Sequence, residues 1–181
     1  RQAHLNSNNQ PIPQYQPQQI QYQPTDKNEV PRRSISFFLS DKTKTIVDVG
    51  CGSGILAIAA AKLGFTNIKA FDNDPDAIIV SHENAQLNHV SNIKFSVDDI
   101  KSGLNNGRYD YIMANILAPI LISNANIFID AINPHGYLSL SGILITEKQD
   151  VIDAFSELAN EKWENEFSLF SFIFVTLLYN G

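Results

Sequence analysis

Apolar residues in this chain fall into short runs with two different spacings, separated by glycine, asparagine and proline. Residues 45–49, 68–71, 93–97, 109–114 and 137–141 are compact runs of β-branched, aromatic and other apolar residues, which predicts buried strands. Between them the spacing turns helical. Residues 55–63 are rich in alanine and stop at Gly64; residues 75–88 open on an Asp74 cap and Pro75. Further helices are expected over 119–132 and 147–160, and turns over 104–108 and 133–136. Ala77, Val80, Ala85 and Leu87 are the inward candidates of the second helix. Strand and helix in alternation predict an α/β domain, its sheet mostly parallel with helices on both faces.

Both ends of the chain depart from this pattern. Residues 1–33 hold eight glutamines, five of the eight prolines and no glycine, a composition unable to bury enough apolar surface to offset its ordering entropy. They are expected to form a disordered or extended tail, with the folded domain over 34–181. Tyr15 and Tyr22 would be the anchors if the tail serves as a docking arm. Ile35, Phe37, Phe38 and Leu39 suit a short helix packed on the domain. Residues 167–179 are apolar but too few to cross a bilayer, and read as one long strand or two. A chain that opens on Arg1, with Met113 its only methionine, reads as a piece of something longer.

Charge and cysteine usage narrow the chemistry. The net charge of −6 argues against a broad phosphate-neutralising surface. Cys51 is alone, so neither an intrachain disulfide nor a cysteine metal cluster is expected; it reads as a small side chain filling a turn. His82 and His89 lack partners at ligand-like spacing and are expected on the surface, with no metal site. No apolar run is long enough for a membrane helix and no secretory signal opens the chain, so a cytoplasmic protein is expected.

The stretch Gly50-Cys51-Gly52-Ser53-Gly54 joins the first strand to the first helix. A strand running through glycines into a helix start is a ligand cradle, since the backbone turns tightly and offers unpaired N–H groups. The spacing is G-x-G-x-G, whereas the dinucleotide fingerprint is G-x-G-x-x-G. Asp48, two residues before the first glycine, is expected beside the ligand. A carboxylate there repels a pyrophosphate and suits the ammonium and sulfonium of S-adenosylmethionine.

DVGCGSGILAIAAAKLG resembles the first motif of the class I S-adenosylmethionine-dependent methyltransferases. With ANILAPIL at 114–121 and LSGIL at 140–144, the chain most resembles the ribosomal protein L11 methyltransferases over roughly residues 45–155. The resemblance implies a Rossmann-like class I methyltransferase fold ending in C-terminal antiparallel strands. It also implies transfer of methyl groups to amino groups of a protein, possession of a separate N-terminal recognition domain, and a lid loop; neither of the last two is visible here. A small-molecule methyltransferase, or a non-catalytic cofactor-binding domain, are the rival expectations.

Candidate site residues follow from strand ends. Gly50, Cys51, Gly52 and Gly54 would cradle the cofactor. Asp72, ending the second strand, is placed to accept from ribose hydroxyls, with Asn73 assisting. In the resembling family the end of the third strand meets adenine, where Asp98 or Asp99 could accept from the exocyclic amine and Ile100 cover the ring; an N-cap is the competing use of either acid. Asn115, at the end of the fourth strand, is the candidate for orienting the amine through its side-chain carbonyl and also adjoins the cofactor, with the Ile116 backbone carbonyl a second acceptor. The residues after Asn115 are Ile116, Leu117 and Ala118, none able to stack on an extruded base, which argues against a nucleic-acid substrate.

Overall fold

The computed structural model describes residues 41–105, 107–162 and 171–174. The 1–33 tail, the apolar segment at residues 35–39 and most of the 167–179 run lie outside the described residues. In chain order come β1 (Thr45–Val49), α1 (Ile55–Lys62), β2 (Asn67–Asp72), α2 (Pro75–Leu87), β3 (Ile93–Val97) and α3 (Ile100–Leu104). They are followed by β4 (Tyr109–Asn115), α4 (Ala118–Ser123), α5 (Ala125–Ala131), β5 (Ile132–Ser141), α6 (Lys148–Lys162) and β6 (Ser171–Phe174).

The strands form one sheet in the order β3-β2-β1-β4-β5-β6, with every pair parallel. Strand order reverses beside β1, so a crevice opens at the carboxyl ends of β1 and β4. Strand parity divides the core. Val47, Val49, Ile112 and Ala114 face one side, packing with Leu121, Phe128 and Phe155 from the helices after β4. Ile46, Ala70 and Met113 face the other, packing with Ala57, Ala60 and Ile78 of α1 and α2. Helices therefore cover both faces, as expected.

Four local expectations are corrected. The strand expected to close the sheet antiparallel is absent from the described residues; β6 runs parallel to β5, because the 15-residue α6 carries the chain back before β6 begins. Val80 and Leu87 of α2 are exposed, and the inward stripe is Ile78, Ser81 and Ala85. The helix expected over 119–132 is two, α4 and α5. They part at Asn124, whose side-chain Nδ2 donates to the Ile120 carbonyl at 2.9 Å, competing for the acceptor a continuous helix would use. Residues 133–136 are no turn but part of β5, accommodated by a register shift opposite Tyr109 and Tyr111. Among the described residues no helix is long and apolar enough to cross a membrane, and no cluster of possible metal ligands occurs.

Candidate functional site

A cleft of about 270 Å³ opens at the carboxyl ends of β1 to β4. Of the expected site residues, Gly50, Asp72, Asn73, Asp98, Asp99, Ile100 and Ile116 line it. Cys51 and Asn115 are next to lining positions in the chain, and neither they nor Gly52 and Gly54 line the cleft themselves.

The glycine loop is held by its own backbone. Cys51 N–H donates to the Phe71 carbonyl at 3.0 Å, and Gly54 N–H donates to the Cys51 carbonyl at 2.8 Å. Gly52 N–H donates to Asp72 Oδ2 at 2.9 Å, so the loop and the tip of β2 share a carboxylate. Asn84 of α2 donates to the Ser53 carbonyl at 2.9 Å. Gly50 lies at φ +66°, and a Cβ there would stand 2.5 Å from Ile116 Cγ2. Only glycine takes that backbone cheaply and lets Ile116 approach so closely. Cys51 is buried, as the turn-filling reading expects; its thiol is pushed up to about 12, first by burial and then by the Asp48 and Asp72 charges.

Asp48, expected beside the ligand, is buried at the carboxyl end of β1 under α1. It shares strand parity with Ile46, so its side chain turns towards α1 rather than the strand tips. The residue is 1% exposed and does not line the cleft. Oδ2 accepts from Ala57 N–H at 3.0 Å, serving one of the orphan donors in the first turn of α1. Burial raises its carboxyl to about 7, against the lowering effect of the Ala57 bond and with a smaller raising effect of Asp72. Cleft acidity comes instead from Asp72, Asp98 and Asp99, opposed by Lys101.

These acids are positioned differently. Asp72 Oδ1 accepts from Asp74 N–H at 3.0 Å while Oδ2 holds Gly52. Asp98 Oδ2 accepts from Ser96 Oγ at 2.7 Å and lies 3.9 Å from Lys69 Nζ. Asp99 takes the N-cap of α3: Oδ1 accepts from Ser102 N–H and Oγ, both at 2.7 Å, and those bonds hold its carboxyl below the ordinary range. The competing use foreseen for either acid thus falls to Asp99.

Asn115 ends β4, exposed, opposite Ser141 of β5. Gly142, from the LSGIL stretch, follows at φ +78° and lies against Asn115 and Ile116. His82 and His89 are exposed, as expected. Val49, Phe71, Lys101, Ile120 and Asn124 line the cleft without having been singled out from the sequence. Lys101 had a signal, following Ile100 directly. Asn124 had one too, as a poor helix former inside a helical run.

The family described as "Ribosomal protein L11 methyltransferase (PrmA)" matches residues 35–166. A curated "Ribosomal protein L11 methyltransferase" from Geotalea uraniireducens is 42% identical over 136 residues, which are 71% of this chain and 42% of that protein. One from Haemophilus influenzae is 42% identical over 131 residues, covering 67% of this chain and 43% of that protein. The chain thus spans about two-fifths of the length of these curated relatives. Among solved structures, the ribosomal protein L11 methylase of Lactobacillus delbrueckii subsp. bulgaricus superposes with a TM-score of 0.63 at 33% identity, covering 70% of this chain and 65% of that one.

Proposed function

The chain belongs to the ribosomal protein L11 methyltransferase family, and from that premise we propose that it transfers methyl groups from S-adenosylmethionine to amino groups of a protein, ribosomal protein L11 in the first place. A substrate of the ribosome implies action in the cytoplasm. The observation that carries the reading is convergence: Gly50, Asp72, Asp98, Asp99 and Ile116 come from four strand ends and share one cleft.

The residues present suit the cofactor. Asp72, Asp98 and Asp99 are carboxylates, which disfavour a pyrophosphate and accept from hydroxyls and amines. Asp72 would hold the ribose hydroxyls, with Asn73 beside it. Asp98 or Asp99 would accept from the adenine amine, and Ile100 and Ile116 offer apolar surface to the ring. Gly50, with Ile116 closed against it, presents backbone to the cleft. When bound, S-adenosylmethionine supplies a sulfonium methyl that a nucleophile's lone pair can take in line, leaving a neutral thioether.

The chain's own contribution is then mainly positioning. Good orientation is worth roughly 7–11 kcal/mol of barrier. Deprotonating a lysine of ordinary pKa costs about 4–5 kcal/mol at pH 7, the smaller quantity. Asn115 Oδ1 and the Ile116 carbonyl would orient the amine, and water would take its proton.

Incubation with methyl-labelled S-adenosylmethionine and purified ribosomal protein L11 tests the reading. Label on that protein, dependent on this chain, is expected. A folded sample with no saturable S-adenosylhomocysteine binding would overturn the cofactor; binding without label on the protein would overturn the substrate.

A further inference from the structure

Lys69 carries an inference that rests on reading the cleft as the cofactor site. It is a lysine inside β2, where its neighbours Ile68, Ala70 and Phe71 are all buried. A partly buried cation in such a strand calls for a partner. Its Nζ donates to the Gly103 carbonyl of α3 at 2.8 Å and lies 3.9 Å from Asp98 Oδ2. It also stands over the Phe71 ring, 5.4 Å from the centroid. Phe71 and Asp98 line the cleft, whereas Lys69 does not.

Register gathers these groups. Lys69 and Phe71 stand two apart on β2 and share a face, and Phe71 pairs with Ser96 of β3. Ser96 Oγ donates to Asp98 Oδ2 at 2.7 Å. α3 closes over this face at Gly103, where a Cβ would stand 2.5 Å from the Phe71 ring. Without that side chain the helix comes close, and its carbonyl meets the lysine. The two acids after β3 are used differently. Asp99 Oδ1 is taken by Ser102 N–H and Oγ in capping α3. Asp98 has Oδ2 on Ser96 and beside Lys69, which leaves Oδ1 without a hydrogen bond among the described residues. We propose that Asp98 is the acceptor of the adenine amine and that Lys69 is its positioning residue, holding Oδ2 from behind so that Oδ1 faces the cleft. The same cation offsets the repulsion between Asp98 and the other carboxylates of the cleft, Asp72 and Asp99. An ion pair this open to solvent adds little to folding, so its loss is expected to show mainly in ligand choice.

Calorimetry on the full chain tests this with two ligands, S-adenosylhomocysteine and its analogue with hydrogen in place of the exocyclic amine. The wild-type chain is expected to prefer the amine about 10- to 100-fold, the scale of a hydrogen bond to a charged acceptor. Asp98→Ala is expected to abolish the preference. Asp99→Ser, which keeps a capping oxygen, is expected to retain it. Lys69→Met keeps the apolar stem without the charge and is expected to cut the preference roughly fivefold. Lys69→Arg keeps a cation and is expected to hold it within about twofold of wild type. A merely structural lysine would weaken both ligands alike and leave their ratio unmoved. Lys69→Gln, read in the same way, replaces the Met variant should that one not fold. Equal binding of the two ligands by the wild-type chain, or a full preference surviving Asp98→Ala or the neutral Lys69 variant, would overturn the proposal while leaving the cofactor reading intact. A folded wild-type chain that binds neither ligand would overturn the cofactor reading itself, and the proposal with it.

Discussion

The Gly52 N–H donates to Asp72 Oδ2 at 2.9 Å, across twenty positions of sequence. One carboxylate therefore fixes the glycine loop, steadies the Asp74 backbone through its other oxygen, and still borders the cleft. Hydrogen bonds to a charged group are worth about 1.5–3 kcal/mol each. Asp72→Ala is expected to weaken S-adenosylhomocysteine binding roughly 10- to 100-fold. Calorimetry measures this directly, and unchanged affinity would remove Asp72 from the site.

Gly50 is constrained on two counts, its left-handed backbone and its approach to Ile116. Gly50→Ala should cost about 1–3 kcal/mol of stability from backbone strain alone. Ile116 must also shift, so cofactor affinity should fall with it. A denaturant midpoint and a binding isotherm on the same sample check both effects; a variant as stable as the parent would contradict the geometry.

Buried Asp48 has a distinct pH signature. Its folded carboxyl sits at about 7, above the ordinary 3.8. The native state therefore keeps a proton that the unfolded chain has already released. This contribution is complete below pH 4 and is lost as pH rises towards 7, on the order of 4 kcal/mol in all. Asp48→Asn has no such loss. Its stability relative to the wild type is expected to improve between pH 5 and pH 8, read from denaturant midpoints. A pH-independent difference would mean that Asp48 is ionised throughout.

Cys51 should be chemically quiet. With the thiol near 12, its thiolate fraction at pH 8 is small. Disulfide reagents are expected to react about 10³-fold more slowly with the native chain than with the urea-unfolded one, where an ordinary thiol returns. Rapid labelling of the native chain would show the turn to be open.

Much of the fold could be read from the chain because it depends on local pattern. Strand runs, the Asp74–Pro75 start of α2 and the glycine loop are short-range signals, and the structure holds them where periodicity and turn chemistry put them. The acids at strand ends were legible for the same reason: in a parallel sheet the carboxyl ends of successive strands meet at one edge.

Other features needed three dimensions. Asp48 looked like a ligand neighbour because it stands two residues from Gly50, yet alternation along β1 turns it beneath α1. Val80 and Leu87 fitted a helical face, but which face packs was decided by the sheet below and by Gly54 meeting Ser81. The direction of β6 followed from α6 returning the chain, not from its own residues. Sequence alone determined where strands, helices and the glycine cradle would form, since those depend on neighbours along the chain. Only the tertiary structure decided which carboxylates face the cleft and that Gly142 meets Asn115, since those depend on register between strands far apart in sequence.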